Sequence, residues 1–243
     1  SSSEKNSTDE NTAQSGTPAI PTNIKITQAP SQGQSQSQVS TPAANADTES
    51  VWGKTGVEGL TVYEYGKTLL SNNERAAYEN IAQAVLKIEP QGTIKTSLNA
   101  TQIEKVYDYY VYDHAEAFYL QGVSLKYSQL RSENDYTFTF QYEYNADKGK
   151  IENMRSQMGV KALKILKAAN SYSTDYRKEK ALHDKLIELC SYDINAAENP
   201  STYPESFSAY GVFVNHKAVC EGYAQAMKIL LSSAGIKSLY ITG

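Results

Sequence analysis

From Glu221 onward the side chains Tyr223, Ala224, Met227, Leu230, Leu231 and Ala234 return at helical spacing. Glu221, Gln225, Lys228 and Ser232 take another face. Gly235 suits the left-handed residue that closes a helix, and Ile236 supplies the apolar contact that accompanies such a stop. Leu239 and Ile241 then alternate with Ser238 and Tyr240, which predicts a short strand. Cys220 therefore stands at the mouth of a helix. Unpaired N–H groups and the positive dipole end there favour a thiolate over a thiol. That is how a protein builds a nucleophilic cysteine.

The rest of the chain divides by composition. Residues 1–50 are rich in Ser, Thr, Gln, Asn, Ala and Pro, with no aromatic residue before Trp52. Such a segment cannot bury enough apolar surface to offset its ordering entropy, so a linker without regular structure is expected. Ser31-Gln-Gly-Gln-Ser-Gln-Ser-Gln38 reads as a flexible tether. In residues 51–170, Ser71-Asn-Asn-Glu74 is a capping box for Tyr78, Ile81, Ala82, Val85 and Leu86, and Glu89-Pro90-Gln-Gly92 closes that helix. Thr101-Gln-Ile-Glu104 reads as a second box before Ile103, Val106, Tyr107, Tyr110 and Val111. Val123, Leu125 and Tyr127, then Tyr136, Phe138, Phe140, Tyr142 and Tyr144, alternate with polar residues. The turn-rich Ser132–Asp135 between them predicts an antiparallel hairpin. Helical patterns follow from about Lys148 to Ala169 and from about Asp175 to Cys190, then a loop at Asn199–Pro204.

The segment Asn215-His216-Lys-Ala-Val219-Cys220-Glu221-Gly222-Tyr223-Ala224, with its helix, Gly235-Ile236 and strand, resembles the nucleophile region of the transglutaminase-like superfamily. Asn215 and His216 stand where many members have Gly. Glu179 to Tyr192-Asp193 is similar to the family's helix ending in Tyr-Asp, and Asp113-His-Ala-Glu-Ala-Phe-Tyr119 to an Asp-His-Pro-Glu-x-Phe-aromatic segment of bacterial members. The resemblance implies an α+β fold: residues 171–243 form the N-terminal part of a papain-like core, incomplete at its C-terminus, beside the helix and hairpin region. It also implies a cysteine enzyme that forms a thioester from protein or peptide amides and resolves it with an amine or water. The family's His and Asp follow the cysteine, and no residue after Cys220 matches them. The chain is thus expected to be a truncated piece of an active parent, itself without appreciable activity.

Cys220 is the catalytic candidate. Tyr192, Gly222 and Tyr223 are candidates for oxyanion or supporting roles. His216, four residues before Cys220, reads as a loop histidine, and His114 as a local hydrogen-bonding anchor. Cys190 shares a stripe with Leu182, Leu186 and Leu189 and reads as a small buried hydrophobe. No cofactor is expected, and no metal, because three histidines and two cysteines are scattered without paired spacing. A net charge of −4 lacks the basic footprint of a nucleic-acid binder. No apolar run approaches membrane-spanning length. The polar N-terminal run, with the resemblance, implies an extracellular or cell-surface-anchored bacterial protein with a cell-wall-associated substrate. The competing reading is a non-catalytic surface module on the same fold.

Overall fold

A computed structural model describes residues 24–28, 52–129 and 135–241. Its centre is a four-stranded mixed sheet in the order β1 (Ile24–Gln28), β5 (Leu120–Gln129), β6 (Tyr136–Tyr144), β4 (Gln91–Thr96). The alternating aromatic run forms β6, antiparallel to β5, with Val123 opposite Tyr142 and Leu125 opposite Phe140. One face of this hairpin is therefore a continuous row of buried apolar side chains, Val123, Leu125, Phe138, Phe140 and Tyr142. The row joins one core with α2 (Asn72–Leu86) and α3 (Ala100–Asp113), through Tyr78, Ile81, Val85, Ile103, Val106 and Tyr107.

Several expectations give way to tertiary pairing. Ile24–Gln28 forms β1, a parallel edge strand on β5, although no regular structure was expected before residue 50. Ile24 and Ile26 alternate toward the core, and an open edge of β5 supplies the ladder that composition alone could not. Residues 31–38 and most of the turn at Ser132–Asp135 lie outside the described residues. The second capping box is Asn99 with Gln102 rather than Thr101 with Glu104: the Asn99 side chain accepts from the Gln102 amide at 3.0 Å, and the Gln102 side chain accepts from the Asn99 amide at 2.9 Å. α2 ends at Leu86, before the stop expected at Glu89–Gly92, and Gln91–Thr96, for which no strand was expected, forms β4 on the far side of β6. Ile88 makes the reversal into it in the left-handed region, at φ 57°.

Around this centre, β2 (Trp52–Lys54) and β3 (Thr61–Tyr63) pair antiparallel, and a single helical turn, α1 (Tyr65–Thr68), follows. Helices α4 (Lys148–Leu166) and α5 (Asp175–Leu189) lead to a two-residue strand β7 (Ser191–Tyr192), then α6 (Ile194–Glu198) and turns at 200–207. A wide helical turn at Gly211–Asn215 ends on His216 in the left-handed region, and β8 (Lys217–Ala218) pairs parallel with β7. Helix α7 (Cys220–Ser233) follows, and Gly235 closes it at φ 80°. The strand expected at Leu239–Ile241 is absent among the described residues: no neighbouring strand offers it a ladder, and Leu239 and Ile241 are exposed.

Candidate active site

Cys220 is the first residue of α7, and its side chain is exposed. No side chain caps the helix, so its positive end faces outward at the sulfur. The N-cap residue is Val219, whose amide donates to the Ser206 carbonyl at 2.9 Å. Ser206 is itself held, its hydroxyl donating to Asp193 Oδ2 at 2.8 Å, while Asp193 Oδ1 accepts from the Ala196 amide at 3.1 Å. The hydrogen bond from Ser206 outweighs the opposing effect of burial and, with a smaller contribution from the Ala196 amide, holds the Asp193 carboxyl below the usual carboxylate range. The Asp193 amide donates to the Ala218 carbonyl at 2.9 Å. One aspartate thus fixes both the turn below Cys220 and the short strand leading to it.

Gly222 packs where no side chain fits. A Cβ there would stand 2.8 Å from the Ser206 carbonyl and 2.9 Å from that of Ser208, so the glycine lets the 204–208 turn close against the first turn of α7. Tyr223 is half-buried and its hydroxyl donates to the Cys190 carbonyl at 2.5 Å, tying α7 to the end of α5. Cys190 is buried, and burial pushes its thiol pKa up. Tyr192 lies on β7 opposite Ala218 with its side chain 54% exposed.

The polar face read on α7 does not face water. Gln225, Lys228 and Ser232 are buried, while Ala224 is exposed. The Lys228 ammonium donates to the carbonyls of Asp113, at 2.7 Å, and Tyr63, at 3.2 Å. Burial lowers its pKa, offset in part by the Asp113, Glu116 and Glu64 carboxylates. Asp113 in turn accepts from the amides of Gly66 and Lys67 and from the Tyr78 hydroxyl, so it caps α1. Beside it His114 is buried between Glu116, 2.7 Å from Nδ1, and Glu64, 3.3 Å from Nε2, and stacks on Tyr110 at 4.4 Å. Burial opposes the charged ring, but the two carboxylates win and push its pKa up to about 10. This is the anchoring role expected of the Asp-His-x-Glu segment. Neither the His114 ring nor that of His183, exposed on α5, bonds to Cys220, and the buried Nδ1 of His216 has no partner.

A cleft of about 110 Å³ has Tyr110, Tyr112, Phe118 and Phe207 among its walls, and reaches α7 at Glu221, the residue after Cys220, with Gln225 and Tyr240 also lining it. Gln225 donates to Glu221 at 3.1 Å. Burial, then the nearby Glu221 and Cys220, push the Tyr240 hydroxyl pKa up, so it is a proton-bearing donor at neutral pH. Sequence reasoning missed Tyr240 and Lys228 because it placed both by periodicity alone.

Residues 165–243 match the family model of the transglutaminase-like superfamily. No curated protein matches the chain. The match spans α5, α7 and the Asp193 turn, which are the elements that position Cys220, and the mixed α+β architecture around them is compatible with a transglutaminase-like core. No described helix is long and apolar enough to cross a membrane.

Proposed function

We propose that this protein is a cysteine acyl-transfer enzyme of the transglutaminase-like class, acting on protein or peptide amides. The observation that carries this is an exposed cysteine at the uncapped start of α7, one residue before Glu221, which lines an aromatic-walled cleft. In the reaction, Cys220 Sγ bonds to the amide carbon, the C–N bond breaks, and the departing nitrogen takes the proton lost from sulfur. The resulting thioester passes to an amine, which gives a cross-link, or to water. Amides of the first turn of α7, with Tyr240 as a further donor, would stabilise the oxyanion. The polar run of residues 1–50 supports a place outside the cell, tethered at a bacterial surface with substrates in or near the cell wall.

One observation favours the non-catalytic module instead: no histidine ring bonds to Cys220 among the described residues. An activated ester separates the two readings, because its phenolate leaves without a proton. With p-nitrophenyl acetate, we expect a burst of one acetyl group per chain, on Cys220, released faster by primary amines than by water alone. Cys220→Ala should abolish the burst. Acetylation that survives this substitution, or falls on Cys190, would overturn the assignment. Unactivated amides should react more slowly by about 10²–10⁴-fold unless a general acid–base is supplied.

A further inference from the structure

A second cleft, of about 360 Å³, meets the first at Tyr110 and His114. Its walls include the rings of Trp52, Tyr110 and Tyr119 and the carboxylates of Glu64, Glu79 and Glu116. Glu116 is 5% exposed. One of its oxygens faces His114 Nδ1 at 2.7 Å; the other, Oε2, is buried without a hydrogen-bond partner. Native proteins seldom leave a buried carboxylate oxygen without a donor. The charges point the same way. Lys67 pairs with Glu64 and Glu79, His114 lies between Glu64 and Glu116, and the buried Lys228 ammonium shares the cluster with Asp113, so four carboxylates face three buried cations. Lys54, exposed at the rim, is the other lysine of the lining. Gly53 brings β2 close over this cluster: a Cβ there would collide with Glu64 Oε1. Aromatic faces attract cations, and Tyr119 already carries the Arg155 guanidinium over its ring at 5.5 Å.

We propose that this second cleft binds a primary alkylammonium group, with one N–H bonded to Glu116 Oε2 and the alkyl arm against Trp52, Tyr110 and Tyr119. A water molecule would satisfy Oε2 and leave the residual charge uncompensated; an ammonium supplies both the donor and the charge. The site lies apart from Cys220, and the bound amine takes no part in acyl transfer. It stands or falls separately from the chemistry proposed above.

Trp52 is the only tryptophan in the chain, so its fluorescence reads this cleft directly. The titrants are ethylammonium, for a free small amine, and Nα-acetyl-lysine amide, for a protein side chain, with tetramethylammonium and sodium at matched ionic strength. We expect a saturable change with ethylammonium, and binding of tetramethylammonium weaker by about tenfold, the loss of one charge-assisted hydrogen bond. Saturation by the lysine amide as well would assign the group to a protein partner; its failure would restrict the site to free amines. Glu116→Gln should abolish saturation. Because that change also touches His114, Glu79→Gln at the half-buried cleft wall provides the second variant, and it should weaken binding severalfold while the fold persists. Equal responses to sodium and ethylammonium, tetramethylammonium binding as well as ethylammonium, or unchanged affinity in both variants would overturn the proposal.

Discussion

Asp108 sits half-buried on α3, and burial first, with Glu104 second, pushes its carboxyl pKa up to about 6. An acid whose folded pKa lies above its unfolded value contributes stability below the unfolded pKa, near 3.9, and loses it as pH rises through the folded one. Urea unfolding should therefore show this group's contribution falling between about pH 4 and pH 6, and Asp108→Asn should remove that slope. The substitution should raise stability near neutrality by about 1 kcal/mol, a figure discounted for the side chain's partial exposure. A slope unchanged in the variant would show that another carboxyl titrates there. At this scale the cysteine was legible and its supports were not. The place of Cys220 follows from the helix it opens, the apolar period from Tyr223 onward and the glycine stop at Gly235. The partner of Lys228 is a carbonyl 115 residues away, and no local pattern carries such a pairing.

Between β7 and α7 the Asp193 carboxylate links elements that are otherwise short. It caps α6, holds Ser206, and through the Ser206 carbonyl holds the residue before Cys220. Asp193→Ala should cost about 1 kcal/mol, typical of a lost cap, and slow alkylation of Cys220 by iodoacetamide. Asp193→Asn keeps Oδ1 to accept from the Ala196 amide, and its Nδ2 can donate to the Ser206 hydroxyl instead, so it should retain most of the rate. Equal rates in the wild type and both variants would show that the turn holds its shape without the carboxylate. Since the folded pKa of Asp193 is lowered, its contribution is present above the unfolded value and lost as pH falls below about 4. The long helices were readable from periodicity, and so was the β5–β6 hairpin. β1 and β4 were not, because each exists through the edge it meets: β1 is a five-residue strand within a polar run, and β4 follows a proline that reads as a stop.

In the whole molecule, the nucleophile helix belongs as much to the first half of the chain as to the second. Lys228 reaches Tyr63 and Asp113, the Ser233 hydroxyl donates to the Thr61 carbonyl and accepts from its amide, and Phe118 stacks on Tyr210 at 5.1 Å. Residues 165–243 expressed alone would strip these partners away and bare one side of α7. We expect that fragment to lack native near-ultraviolet dichroism and dispersed amide resonances, whereas residues 52–241 show both. A dispersed spectrum from the fragment would refute the dependence. The stretch that matches the family model is thus shorter than the unit that folds. Recombination among relatives feels the difference. A crossover near residue 165 separates an ammonium from the carbonyls that receive it, so such chimaeras survive only when both parents carry the matching half of the lock.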